Sequence, residues 1–299
     1  MASAQEDFRT PGIDVSIRGG VALVPYAVFW GWLLSRWLND FLLPEGLGVP
    51  SGEPYLDPLW FEPISESLAF AITYLPQLAA GAWATIVITL VSITLGFFLA
   101  VPVSVARVYG RYTAWGSLVF TELIRGTPLL AQLFVLYYGL ELSSWIREIS
   151  FVGVGIIPEQ AFWVAIIGFT INSAAYQAEY IRSALLSVDR GQLQAGRAIG
   201  LSRLAAIRHV VLPQALRFAI PGWSNELVYL IKYSSLAAFI TVPELFEIAR
   251  KIAADNFQYT AIFTLVALFY LAIVITASNL MGLVERRVRI PGLGRGTDR

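Results

Sequence analysis

The sequence predicts an all-α protein, a polytopic bundle of about six membrane-spanning helices. Composition is the first reason: hydrophobic residues make up 57% of the 299 residues and charged residues 14%, against roughly 25% charged in soluble domains. The second is pattern, since six apolar segments approach the ~20 residues that a spanning helix needs. The third is the placement of arginine, which falls almost wholly on one side of those segments.

The first span is expected at 21–43, with Arg36, Asn39 and Asp40 crowding its second half. Pro44, Glu45 and Gly46 follow it in place of a small-residue cleavage site, so it reads as a retained anchor. Residues 44–66, rich in Pro, Gly and acid, form an ordered or semi-ordered external loop. Residues 67–81 either lie at the interface or extend the next helix. Further spans are expected at 83–106, 118–141, 160–185, 214–240 and 258–284. Gly126-Thr127-Pro128 distorts the third, because proline removes a backbone donor, and Pro221-Gly222 predicts a kink in the fifth.

With the N-terminus inside, Arg9, Arg18, Arg107, Arg111, the arginines from Arg182 to Arg217 and those from Arg286 to Arg299 are cytoplasmic. Only Arg147, Arg250 and Lys251 fall outside. The positive-inside rule therefore places both termini in the cytoplasm. The acids assigned to the outside, Glu45, Glu53, Asp57, Glu62, Glu66, Glu141, Glu148, Glu159, Glu244, Glu247 and Asp255, read equally as a docking face or as ordinary hydrated loops.

Between the fourth and fifth spans lies a polar, arginine-bearing segment, Gly191 to Leu216. Leu193, Ala195, Ala198 and Ile199 recur at near-helical spacing, Gly200 ends that helix, and Ser202 caps a second over 203–211. Pro213 stops or bends the chain before the next span. The pattern predicts two short helices with Gly200-Leu201-Ser202 at the corner. An amphipathic loop resting on lipid headgroups fits the spacing as well.

Polar groups inside spans are expensive and so point to function. Asn172, Tyr176 and Glu179 share one helical face, with Arg182 a turn beyond; Asn225, Tyr229 and Lys232 share another, beside Glu226. Lys232 offers a cation inside a span, and Glu179 or Glu226 an acceptor. The same groups also suit mutual pairing at helix contacts or a subunit interface. Glu122 and Arg125, one turn apart, read as a structural pair at the membrane boundary, and Gln132 as a residue facing the pathway. The nine tryptophans sit mostly near span ends, where interfacial anchoring accounts for them.

The segment around Q-A-G-R-A-I-G-L-S resembles the "EAA" coupling loop of bacterial ABC importer permeases. ELIRGTPLLAQLFVLYYGL at 122–140, INSAAYQAEYIRSALLSVDRGQ at 171–192 and LPQALRFAIPGWSNELVYLIKYSSLAAFI at 212–240 resemble the polar amino acid subfamily, the histidine/glutamine-type permeases. The resemblance implies a five-span type I importer core over 83–285, with a coupling loop at 188–213. Residues 1–82 form an added tail, anchor and loop, and 286–299 a basic cytoplasmic tail. It assigns Gln194, Ala195, Gly196, Arg197, Gly200, Leu201 and Ser202 to contact with an ATPase. Asn172, Tyr176, Glu179, Asn225, Glu226, Tyr229 and Lys232 would line the substrate path, Lys232 suiting the carboxylate of an amino acid zwitterion and Glu179 or Glu226 its ammonium. Glu122, Arg125, Thr127, Pro128 and Gln132 would serve gating or structure. The chain departs from the family at Gln194 and Gly196, where Glu and Ala are usual, and at Tyr233, where the pattern K-D-[ST]-S-L has Asp.

The implied partners are two ABC ATPase subunits, an extracytoplasmic amino-acid-binding protein and a second permease, either a copy or a homologue sharing the work. The implied location is the cell inner membrane. No cofactor is expected in this chain, because ATP is bound by the partner: the Walker pattern is missing, and neither Lys232 nor Lys251, the only lysines, follows a glycine. With no cysteine and His209 alone, no metal or catalytic residue is expected, and zero net charge argues against nucleic acid. An ion-gradient-driven amino acid carrier and a non-transporting scaffold subunit are the competing readings.

Overall fold

A computed structural model describes residues 20–44, 47–154 and 157–288, and they form helices and connecting turns without strands. The predicted arginines 9, 18, 289, 295 and 299 lie outside the described residues.

Helix α1, Gly20–Phe41, turns Leu33, Arg36 and Trp37 inward at i, i+3 and i+4. It packs against the second and last helices. Trp37 Nε1 donates to the carbonyl of Ala79 at 2.7 Å, and Trp30 Nε1 to Thr276 Oγ1 at 2.9 Å. Trp30 and Trp37 thus hold helices together, a role the sequence reading did not assign, while Trp60, Trp115 and Trp145 are highly exposed.

The polar end of α1 is used to fold the loop that follows. Arg36 is fully buried, pairs with Asp40 at 2.8 Å, and donates to the carbonyls of Glu53 and Pro50. Asn39 exchanges two hydrogen bonds with the backbone of Val49, as a neighbouring strand would. The expectation of an ordered loop therefore holds over 47–64.

Helix α2, Glu66–Tyr109, begins at the Ser65 cap and runs 44 residues, about 66 Å at 1.5 Å per residue. Residues 67–81 thus extend the helix, and no break marks residue 82. Helix α3, Thr113–Arg125, and α4, Leu129–Phe134, meet at 101° across Gly126-Thr127-Pro128. The predicted distortion is a sharp turn. Thr127 Oγ1 donates to the carbonyls of Leu123 and Ile124, and Gln132 Nε2 donates to Ile124 O at 2.6 Å, satisfying acceptors the break exposes. A wide i→i+5 turn, Val135–Gly139, and short α5, Leu142–Arg147, lead to α6, Gln160–Ser187.

After α6 come α7, Arg190–Ala198, and α8, Arg203–Ala206. A second i→i+5 turn, Ile207–Val211, then joins α8 directly to α9, Leu212–Tyr233. Pro213 therefore does not stop the chain. Leu212 N–H reaches back to Ile207 O, and the widened turn accommodates the missing donor of Pro213 at the start of α9. Helix α9 is also continuous through Pro221-Gly222. It gives way at Ser234 to a 3-10 segment, Ser234–Ile240, so the fifth predicted span is α-helical only to Tyr233.

The sequence reading missed α10, Leu245–Asn256, having placed 241–257 in a hydrated loop. Glu244 and Glu247 are 0% and 2% exposed. Glu244 caps α10, accepting from Phe246 N at 2.9 Å and Glu247 N at 2.8 Å. It also accepts from Tyr270 Oη at 3.0 Å and faces Thr85 Oγ1. Gly81 lets α2 approach, since a β-carbon there would stand 2.8 Å from Leu245 Cα. Helix α11, Tyr259–Val288, closes the bundle.

All six predicted segments thus coincide with helices, but among the described residues only α2 and α11 are individually long and apolar enough to cross a membrane. The bent α3–α4 pair meets that test jointly. Helices α6 and α9 carry polar residues that dilute their apolar character: α6 buries Asn172, Ser173 and Gln177, and α9 buries Glu226 while Arg217, Asn225 and Lys232 stay exposed.

Candidate functional site

The coupling segment has the predicted corner. Asp189 caps α7 through Gly191 N, and Gly200 ends it at φ +90°, a conformation that favours glycine. Leu201 N–H returns to Gly196 O, closing the helix terminus, and Ser202 Oγ accepts from Ala205 N at 3.2 Å to start α8. Gln194, Ala195, Arg197, Gly200 and Ser202 are exposed, and Leu201 is half-buried.

The inward face of α7 differs from the sequence reading. Ala195, Ala198 and Ile199 point out, Ile199 being 79% exposed, and Leu193 and Gly196 point in. A β-carbon at Gly196 would lie 3.1 Å from Ala206 Cβ, so this departure from the family pattern lets α7 close on α8. Leu204, 71% exposed, is a second outward apolar side chain in the segment. Arg203 Nη2 donates to Tyr109 O at 3.1 Å, tying α8 to the end of α2.

Inside the bundle, the predicted polar residues divide into a lane and a set of clasps. In the lane, Tyr229 stacks on Tyr233 at 3.9 Å, Tyr176 lies 6.2 Å from Tyr229, and the Arg125 guanidinium sits 5.4 Å from the Tyr176 ring. Arg125 reaches Glu179 at 3.9 Å, and Arg182 holds that carboxylate through two nitrogens. Arg125 thus pairs with Glu179 of α6, correcting its expected pairing with Glu122, which is exposed. Lys232 and Asn225 are exposed on α9, and Lys232 makes no ion pair among the described residues.

The clasps are buried. Asn172 Nδ2 donates to Gln132 Oε1 at 3.0 Å, linking α6 to the residue that fastens the bend. Gln177 donates to Ile93 O and Ser173 Oγ and accepts from Trp223 Nε1, joining α2, α6 and α9. Glu226 is 1% exposed, and its Oε1 has no hydrogen-bond partner among the described residues. Lys232, Glu179 and Glu226 are therefore not gathered into one zwitterion clamp in this conformation: Glu179 is already neutralised and Glu226 is buried. Sequence reasoning missed Tyr233 and Gln177. The i, i+4 spacing of Tyr229 and Tyr233 was the available signal for the first; nothing local marked the second.

The sequence and the fold are similar to those of known transporters. Residues 92–290 match the family model for the binding-protein-dependent transport system inner membrane component. The probable amino-acid ABC transporter permease protein YckA of Bacillus subtilis (strain 168) is 38% identical over 218 residues, covering 73% of this chain and 91% of the relative. The glutamine transport system permease protein GlnP of Escherichia coli (strain K12) is 37% identical over 217 residues, covering 72% and 94%. Among solved structures, an amino acid ABC transporter crystallised with histidines superposes with a TM-score of 0.62 at 29% identity, covering 73% of this chain and 97% of that one. The chain belongs to the binding-protein-dependent inner membrane components, the multi-pass permease subunits of ABC importers, in which ATP hydrolysis is the task of a partner subunit.

Proposed function

We propose that this subunit carries polar amino acids inward across the cell membrane, with both termini cytoplasmic and a second permease completing the path. The exposed corner at Gly200 carries the reading. It joins two capped short helices, presents Ile199 and Leu204 outward, and is braced through Arg203 to α2. Gln194, Ala195, Arg197, Gly200, Leu201 and Ser202 meet the ATPase there, and Gly196 sets the angle between the helices. Closure of the ATPases on ATP moves the corner, and the α6–α9 contact passes that motion to the lane. A substrate-binding protein delivers from the opposite face.

Tyr176, Tyr229, Lys232 and Asn225 line the path in this reading, open towards the second permease. Lys232 attracts the substrate carboxylate, while Asn172, Glu179 and Glu226 hold the helices or are released to the substrate as they part. Thr127, Pro128 and Gln132 set the bend, Arg125 closes the lane over Glu179, and Glu122 stays at its rim. The names of relatives support amino acids as cargo, and family membership favours this reading over an ion-driven carrier or a scaffold.

Reconstitution with the associated ATPase and binding protein tests it. The expected result is ATP-driven uptake of at least one polar amino acid, together with stimulated hydrolysis. Absence of both across an amino acid panel, with the complex assembled, rejects the reading.

A further inference from the structure

A cleft of ≈ 550 Å³ opens at the end of the bundle away from the coupling corner. Gln77 in its wall and Arg107 near the corner are 30 residues apart on α2, about 45 Å. The cleft has two origins. Asp40, Ser51 and Gln77 precede the family match, and Lys251, Ile252 and Asp255 come from α10 within it.

Its charges are arranged unusually. Lys251 and Asp255 are at i, i+4, the spacing at which opposite charges on a helix normally pair, yet they form no ion pair. Lys251 instead lies 3.7 Å from Glu247. That carboxylate is already held by two hydrogen bonds of 2.7 Å from Arg250. The ammonium of Lys251 is therefore surplus to Glu247, and Asp255 makes no ion pair among the described residues. Asp40, the other acid, is committed to Arg36 and Asn39. One wall thus presents a cation held only at 3.7 Å by a shared carboxylate, and an anion without an ion pair among the described residues, one helical turn apart. Buried Ile252 and the side chains of Gln77 and Ser51 also line the cleft.

We infer that this cleft is a binding site for a small zwitterion of the α-amino acid class, its carboxylate on Lys251 and its ammonium on Asp255. It is separate from the Tyr176–Tyr229 lane and is built partly by a segment outside the family match. The two-sign wall stands on geometry alone; the choice of an amino acid as occupant rests on the transport reading.

The test uses the full chain with its ATPase subunits in lipid nanodiscs, without binding protein, and equilibrium dialysis against labelled glutamine. Competitors are glutaminamide, which lacks the carboxylate, and N-acetylglutamine, which lacks the ammonium. Saturable glutamine binding is expected, with each analogue about fivefold weaker, the scale of one exposed charge pair. Lys251→Met should abolish the preference over glutaminamide, and Asp255→Asn the preference over N-acetylglutamine. Glu148→Gln, at an exposed position outside both the cleft lining and the lane, should retain glutamine binding and both preferences. The inference is overturned by absent saturable binding, by an analogue order unchanged in both cleft variants, or by the same loss of preference in Glu148→Gln. Failure of ATP-driven uptake in the separate reconstitution would instead reject the transport reading.

Discussion

The short-helix segments at the two ends of the bundle, α7–α8 and α10, follow opposite plans. At the coupling end the chain turns on Gly200 with its polar and apolar side chains outward, and local caps suffice to shape it. At the other end α10 is sunk into the bundle and started by a fully buried carboxylate that gathers donors from α10 and α11 and lies against α2. The exposed corner leaves a surface for a partner.

The largest test of that contrast is Glu244→Ala. It strands the Tyr270 hydroxyl and two backbone N–H groups in the interior, at about 1–3 kcal/mol for each buried unsatisfied group. A large fall in thermal stability in detergent is expected, with Glu244→Gln milder because it keeps an acceptor; an unchanged melting temperature in the alanine variant would show that α10 is not anchored this way.

At the other end, Ile199→Asp and Leu204→Asp should shift stability by no more than about 0.5 kcal/mol, as for exposed sites generally. Co-purification of the ATPase and amino acid uptake should both be lost. Retained uptake would deny the corner its coupling role. Gly200→Val adds strain of about 1–2 kcal/mol at a left-handed position, though a β-carbon there meets open space. Insertion with weakened ATPase association and stopped uptake is expected.

Between the ends, Lys232→Ala should leave the melting temperature nearly unchanged and reduce substrate-stimulated hydrolysis with the binding protein saturated. Equal kinetics would make Lys232 structural. The smallest effect belongs to Gly196→Ala. Helix propensity improves by about 1 kcal/mol, crowding against Ala206 opposes it, and the net change in unfolding should stay below about 1 kcal/mol by the same balance.

Local chemistry was legible where it acts locally. Six apolar runs marked the six helical segments, Gly200 and Ser202 marked the corner, and Gly126-Thr127-Pro128 marked the bend, because caps, breaks and apolar length are properties of neighbours in sequence. The partner of Arg125 was not legible. Glu122 is one turn away and Glu179 is 54 residues on, yet the rotation of α3 against α6 brings the second within reach. The same holds for Glu244 and Glu247, whose composition marks a hydrated loop until α2 and α11 close over them.

By itself, then, the sequence determined the class, the helical segments, the turn at Gly200 and the family. Its residue types at fixed spacing decide solubility in lipid, helix termini and the shape of one surface element. Only the tertiary structure decided which polar groups are spent on one another and which are not. Arg36 is absorbed by its loop and Gln132 by the bend, while Lys232 and Asp255 make no ion pair among the described residues. A polar side chain's role depends on what stands within about 3–4 Å of it, and in a bundle that neighbour comes from another helix.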